Sequence, residues 1–262
     1  MFQYENILTN EYIAKGYFVG QIQEKETIFS IRKSLIDIVK KELSIKKDIS
    51  DDKFLDYIHE HIPVNQLNDF RLKMIRKMNL LPNFRESYYK VVKPYLDTIV
   101  GNEVSMQLKA NLSIQLPEDD SSLLPIHADT WSGDSPYEVV VWIPLVDCYK
   151  TKSMYILPSK KYSKIEKKFK TMSDSNTDDL FKSVEKDVEW IEIKYGEVLI
   201  FNQALPHGNR VNLENESRWS MNCRFKAVFT PYGDKKIGEF FEPVTLKPAS
   251  MYGLNYNLPE LE

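Results

Sequence analysis

Strict alternation between residues 104 and 116 constrains the fold of this chain more than any other feature. Val104, Met106, Leu108, Ala110, Leu112, Ile114 and Leu116 are apolar, and Ser105, Gln107, Lys109, Asn111, Ser113 and Gln115 lie between them. A period of two predicts a strand with one apolar and one polar face. In a closed antiparallel sheet the polar face can point into a wet cavity, and it can equally face solvent. Short apolar segments follow at 137–146, 153–157, 189–193, 197–202 and 217–230, with Pro, Gly, Asn and Asp clustered between them. Many short strands with turn punctuation predict an all-β barrel or a double-sheet sandwich. No GxGxxG or GxxxxGK[ST] motif points instead to a nucleotide-binding α/β fold.

The residues upstream have a different period. Ile28, Ile31, Leu35, Val39 and Leu43 recur at steps of three and four, so Glu26–Leu43 reads as a helix. Weaker versions of the pattern predict helices over 51–61, 64–78 and 84–100, with Pro63 as a break. Residues 1–25 read as mixed and turn-rich, with a short strand around 17–19. The expected fold class is therefore α+β, in a single domain covering 1–262. Residues 1–102 form a mainly helical support and 103–230 the β core. Residues 231–262, with Pro231, Pro243, Pro248 and Pro259, form an extended C-terminal wrap. Residues 159–188, dense in Lys and then in Ser and Asp, interrupt the β region. They read as a solvated loop or exposed helix, or as a lid whose lysines meet an anionic substrate.

With 262 residues, of which 42% are hydrophobic, the chain can bury a full core. A net charge of -3 gives no global field to attract nucleic acid or an anionic membrane, so neither is expected as a partner. The apolar runs are too short to span a bilayer, and the N-terminal residues lack a secretory pattern. The two cysteines, Cys148 and Cys223, form no disulfide framework. The expectation is a cytoplasmic protein with reduced thiols.

Only four histidines are present. His59 and His61 fall two apart in the helical half, where they point in different directions and cannot share a metal. His127 and Asp129, in LPIHADTW, project to one face if that segment is extended. His207, in FNQALPHGNRV, follows the apolar strand GEVLIF. Two imidazoles and one carboxylate on one face leave three open positions, the arrangement of non-haem Fe(II) oxygenases. Two positions can hold a bidentate co-substrate and one can hold O2. The far carboxylate of 2-oxoglutarate calls for a forked, permanent cation. Arg218 is brought back beside the metal if a turn at Asn212–Glu216 joins two antiparallel strands. Arg224 lies on the same predicted strand and the same face, and competes for that role; spacing favours Arg218. Trp131, Asp134 and Tyr137, which follow the HxD, are candidates for the pocket mouth.

HADTW, VVVWIPLVDCYKTKSMYILPSKK, GEVLIFNQALPHGNRV and Arg218 occur in an order and spacing that resemble the phytanoyl-CoA dioxygenase-like family over about residues 104–230. The resemblance implies a double-stranded β-helix core of the jelly-roll or cupin-like kind and an Fe(II)/2-oxoglutarate-dependent dioxygenase. It implies His127, Asp129 and His207 as metal ligands and catalytic centre. It implies Arg218 on the distal carboxylate of 2-oxoglutarate, with Trp142 and Asn111 beside that co-substrate. Asn209 falls where relatives often carry a hydroxyl residue. The implied reaction consumes O2, converts 2-oxoglutarate to succinate and oxidises a small molecule. That molecule is a carbohydrate or natural-product intermediate by analogy with relatives, and hydroxylation is the expected outcome. Asp129 fills the place that halogenating relatives leave for halide, which disfavours halogenation. Two other readings use the same fold: a cupin-type metal enzyme without 2-oxoglutarate, and a non-catalytic binding protein.

Overall fold

The computed structural model describes residues 3–45, 50–171 and 176–257. The N-terminal half runs α1 (Gln3–Lys15), β1 (Tyr17–Gln21), α2 (Lys25–Glu42), a short α3 (Asp51–Phe54), α4 (Leu67–Asn79) and α5 (Phe84–Ile99). The core strands are β2 (Val104–Gln107), β3 (Asn111–Gln115), β4 (Val139–Pro144) and β5 (Tyr155–Ile156). The charged segment forms α6 (Ser159–Thr171) and α7 (Thr177–Val184). Strands β6 (Glu189–Trp190), β7 (Glu197–Asn202), β8 (His207–Gly208), β9 (Arg218–Ala227) and β10 (Phe241–Pro243) follow, then α8 (Pro248–Leu254).

Two antiparallel sheets result. The larger has the order β1-β7-β4-β9-β2-β10, with β3 also paired to β9, and the smaller has the order β6-β5-β8. Strand β9 is the longest and sits centrally. Its Trp219, Met221, Cys223 and Phe225 are fully buried in the main core. There Phe70 of α4 meets Trp219 edge-on at 6.2 Å, and Tyr88 of α5 stacks on Phe225. The opposite face of β9 carries Arg218, Ser220, Asn222, Arg224 and Lys226. Helices thus cover one side of the large sheet, and its polar side is free to line a cavity.

The predicted helical face of α2 is buried as expected at Ile28, Ile31, Leu35 and Val39. Arg32 on the same helix donates from Nε to Leu145 O at 2.8 Å and ties the helix to the sheet. Residues 3–15, read as turn-rich, are instead helical. They carry no apolar stripe, so periodicity could not reveal them. Gly16, at φ +81°, ends this helix, and a Cβ there would lie 2.6 Å from the Leu205 side chain.

The alternating segment is two strands, not one. Met106 pairs with Phe225 and Asn111 with Asn222. In the gap, the Asn79 side chain acts as a surrogate strand: its Nδ2 donates to Ala110 O, and its Oδ1 accepts from Ala110 N, both at 2.9 Å. These bonds satisfy backbone groups that the bulge takes off the ladder. The tail is less extended than expected. It adds β10 to the edge of β2 and then forms α8. Residues 258–262 of the expected wrap lie outside the described residues.

The charged insertion packs on the small sheet. Leu180, Phe181 and Val184 of α7 join Ile126, Tyr155 and Leu157 in a second apolar cluster, and Asn176 caps α7 through Asp178 N. Residues 172–175 of the insertion lie outside the described residues.

One buried ionic cluster joins the helical half to the sheet. Lys152 is 0% exposed; its Nζ meets Asp56 Oδ1 at 2.5 Å and Glu216 Oε2 at 2.7 Å. Removing one member of a buried cluster leaves the others uncompensated. Lys152→Met should therefore lower the unfolding free energy by about 3–5 kcal/mol. Lys33→Ala, at exposed ion pairs with Asp37 and Asp51, should lower it by at most ~1 kcal/mol. Urea unfolding of the two variants compares them, and equal losses would show that the cluster adds no stability.

Candidate metal centre

Two backbone hydrogen bonds create the site. His127 N donates to His207 O at 3.0 Å, and His207 N donates to His127 O at 2.8 Å, a small antiparallel bridge. The turn before His207 is set locally: Asn202 Oδ1 accepts from Ala204 N, and Leu205 N donates to Asn202 O. Paired directly across the bridge, the two rings approach to 4.4 Å between centroids. Each ring is oriented by a carbonyl two residues back: Pro125 O at 2.8 Å from His127 Nδ1, and Leu205 O at 2.8 Å from His207 Nδ1. A carbonyl only accepts, so each Nδ1 carries the proton and each Nε2 offers its lone pair, as metal-ligating histidines do. Burial, and then the proximity of His127, lower the pKa of His207 to about 4, so its imidazole is neutral near pH 7.

Asp129 completes the group. Ala128 is extended, and Asp129 begins a short 3-10 turn (Asp129–Ser132) with its N–H on Gln203 O at 3.0 Å. Its Oδ1 lies 3.8 Å from His127 Nε2. The three candidate ligand atoms all fall within 4.8 Å of one another. Among the described residues this is the one group of three His, Cys, Asp or Glu side chains so placed. His59 lies elsewhere, with Nδ1 2.9 Å from Ser217 Oγ.

The three side chains line a cavity of about 340 Å³ between the two sheets. Asn111, Ser113, Trp142, Asn209, Arg218, Asn222 and Arg224 line it as well. Arg218 is 4% exposed. Its guanidinium donates to Ser153 O at 3.1 Å and Ser113 Oγ at 3.0 Å, and its Nε has no partner. Among the described residues no carboxylate pairs with it. Desolvation lowers its pKa to about 10. A buried, uncompensated cation with an idle donor is costly unless an anion joins it.

The other expected contacts differ in character. Trp142, on β4, is opposite Asn222 in the sheet register. Asn111 is also opposite Asn222, and its Nδ2 donates to Asn222 Oδ1 at 2.9 Å. Asn209 lines the wall with its amide already engaged: Oδ1 accepts from Leu124 N at 2.5 Å, and Nδ2 faces Ser122 O and Gln115 Oε1. It holds the 122–124 segment against the cavity. Trp131 and Tyr137 are exposed and Asp134 is bonded to Lys235, and none of the three lines the cavity. No described residue of 159–188 lines it either. Sequence reasoning did not single out Ser113, Asn222 or Gln203. The polar alternation of β9 is the signal that could have found Asn222, whereas nothing local marks Gln203.

No family model matches the chain, and no curated protein matches it significantly. Solved structures do match. The nickel complex of the non-heme monooxygenase ThoJ aligns with a TM-score of 0.58 at 12% identity, over 97% of this chain and 89% of its own. EctD from S. alaskensis, with 2-oxoglutarate and 5-hydroxyectoine, gives 0.56 at 13% identity, over 88% of this chain and 78% of its own. HygX from Streptomyces hygroscopicus, with nickel and 2-oxoglutarate bound, gives 0.52 at 12% identity, over 88% and 89%. The chain shares the mixed helix and antiparallel-sheet fold of these proteins. No helix among the described residues is long and apolar enough to cross a membrane.

The Asn209 bonds make a local prediction. Asn209→Ala should speed amide hydrogen exchange at Leu124 by about fivefold or more, the loss of one buried hydrogen bond of about 1 kcal/mol or above. Unchanged exchange at Leu124 would remove Asn209 as the support of that wall.

Proposed function

We propose that this chain is an Fe(II)/2-oxoglutarate-dependent dioxygenase that oxidises a small molecule, with a phytanoyl-CoA dioxygenase-like double-stranded β-helix core in a single domain. The observation that carries the reading is Arg218: a buried cation without a protein acid, in the same cavity as two imidazoles and a carboxylate within ligand distance of one another. The distal carboxylate of 2-oxoglutarate would supply the missing anion. A cupin-type metal enzyme without 2-oxoglutarate has no use for such a cation.

The donor set fits the metal: two neutral nitrogens and one carboxylate oxygen suit Fe(II) better than the all-oxygen shells of Mg²⁺ or Ca²⁺. His127, Asp129 and His207 would hold it. Fe(II) and 2-oxoglutarate, once bound, supply the oxidising chemistry with O2, and the protein orients and shields them. Arg218 anchors the co-substrate by its far end, held in aim by Ser113 and Ser153. Trp142 walls the cavity and limits water, Asn111 stands beside the co-substrate, and Asn209 fixes the wall opposite. The substrate is a small molecule, a carbohydrate or natural-product intermediate, and hydroxylation is the favoured outcome. A cytoplasmic location is in keeping with two buried free cysteines.

The test is whether O2 uptake and succinate formation require both Fe(II) and 2-oxoglutarate. Arg218→Ala should weaken 2-oxoglutarate binding by about tenfold to a hundredfold, the loss expected for a charged hydrogen-bonding partner, while metal binding survives. Calorimetry on the Ni(II)-loaded protein measures it, and unchanged affinity would sink the assignment of Arg218. His207→Ala should abolish Ni(II) binding in the same assay; retained binding with wild-type affinity would sink the metal centre.

A further inference from the structure

Strand β9 points two guanidinium groups into the cavity, and their surroundings are opposite. Arg218 has only neutral partners. Arg224 meets an acid, with Nη2 2.9 Å from Asp129 Oδ1. Its Nε donates to Gln203 Oε1 at 3.1 Å. Gln203 is fully buried, and its own Nε2 is fixed on Ser135 O at 2.8 Å. The backbone carbonyl of Gln203 accepts the Asp129 N–H at 3.0 Å. The Asp129 N–H on the Gln203 backbone carbonyl, the Gln203 side-chain Oε1 on Arg224 Nε, and Arg224 Nη2 on the Asp129 carboxylate therefore close a ring of polar contacts through the whole Gln203 residue. Phe240 flanks the guanidinium, with the Arg224 Cζ 5.9 Å from its ring centroid.

A carboxylate beside a divalent metal can bind through one oxygen or two. Binding through two takes one of the positions that a bidentate co-substrate and O2 need. From the closed ring we propose that Arg224 is a positioning residue: by holding Oδ1, the oxygen that faces His127, it fixes the rotation of the Asp129 carboxylate so that one oxygen and not two meets the metal, and so keeps three metal positions open. This rests on the oxygenase reading above and adds a second, separate task for an arginine on the same strand. The alternative in which Arg224 takes the distal carboxylate of 2-oxoglutarate is disfavoured, because an acid already pairs with its guanidinium. Asp134 Oδ2 lies 3.9 Å from Nη2 but is itself bonded to Lys235, so it does not displace Asp129.

The experiment compares wild type, Arg224→Met and Arg224→Lys as full-length proteins titrated with Co(II), then with 2-oxoglutarate. Co(II) visible absorption reports coordination number and geometry without turnover. In Arg224→Met the released carboxylate should change that absorption before 2-oxoglutarate is added, and 2-oxoglutarate affinity should fall about tenfold or more, within the range measured when partners of metal ligands are lost. Arg224→Lys keeps a cation that can reach one partner and should recover part of both signals. It also serves as the test if the methionine variant fails to fold. A guanidinium acting only as a charge would alter 2-oxoglutarate affinity and leave the Co(II) spectrum unchanged, and that result overturns the proposal. Spectrum and affinity both within experimental error of wild type overturn it as well. If wild type itself binds no Co(II), the oxygenase reading fails; if wild type binds and the variants match it, only the role of Arg224 fails.

Discussion

The whole site depends on one short backbone bridge. His127 and His207 are far apart in the chain, and their reciprocal N–H to C=O bonds bring their rings together before any side chain takes part. Each ring is then locked by a carbonyl two residues upstream. Asp129 is added from the same segment, one extended residue further on. The bridge is thus the element that turns a sandwich of two sheets into a potential ligand set, and the surrounding packing serves to keep it in place. Gly16 shows how tightly: the N-terminal helix ends against the side chain of Leu205, whose carbonyl orients the distal imidazole.

Electrostatics divides the polar face of β9 into zones. At one end Arg218 is cationic and unpaired; further along, Arg224 is neutralised by Asp129. A dianionic co-substrate of the proposed kind would be drawn to the first zone rather than the second. The helical half contributes to the same geometry at a distance. Lys152 adjoins Ser153, whose carbonyl accepts from Arg218, and Asp56 both meets Lys152 and accepts the Ser217 N–H through its backbone carbonyl. The helical half therefore reaches residues that flank Arg218.

Much of this was legible in the sequence because it is carried by local pattern. Period two placed Asn111 and Ser113 on the polar side of their strand, the 3.6 period marked the buried face of α2, and the HxD with a later His and Arg named the residues that line the cavity. Strand β7 occupies 197–202, the range expected for it. The remainder depends on tertiary contacts that leave no local trace. Residues 3–15 are helical without an apolar stripe. Gln203 looks like an ordinary turn residue until its carbonyl meets Asp129 and its amide meets Arg224. Asn209, expected beside the co-substrate, spends its amide on the wall, because the 122–124 backbone passes over it. The lysine-rich insertion read as a solvated loop, an exposed helix or a lid; the apolar side of α7 packs on the small sheet, and the cavity lining includes none of the insertion's described residues.

The interruption between β2 and β3 has a consequence for which residues meet the ligand. From Met106 to Asn111 the chain takes five steps, while the partner strand takes three from Phe225 to Asn222. The surplus is even, so the inward and outward sense of every later residue is preserved across the defect. An odd surplus would have turned Leu112 and Ile114 toward the ligand space and sent Asn111 and Ser113 into the oily layer beneath the helices. The amide of Asn79, by accommodating one particular length of slack, acts as a guardian of parity for the part of the cavity's lining that β3 supplies.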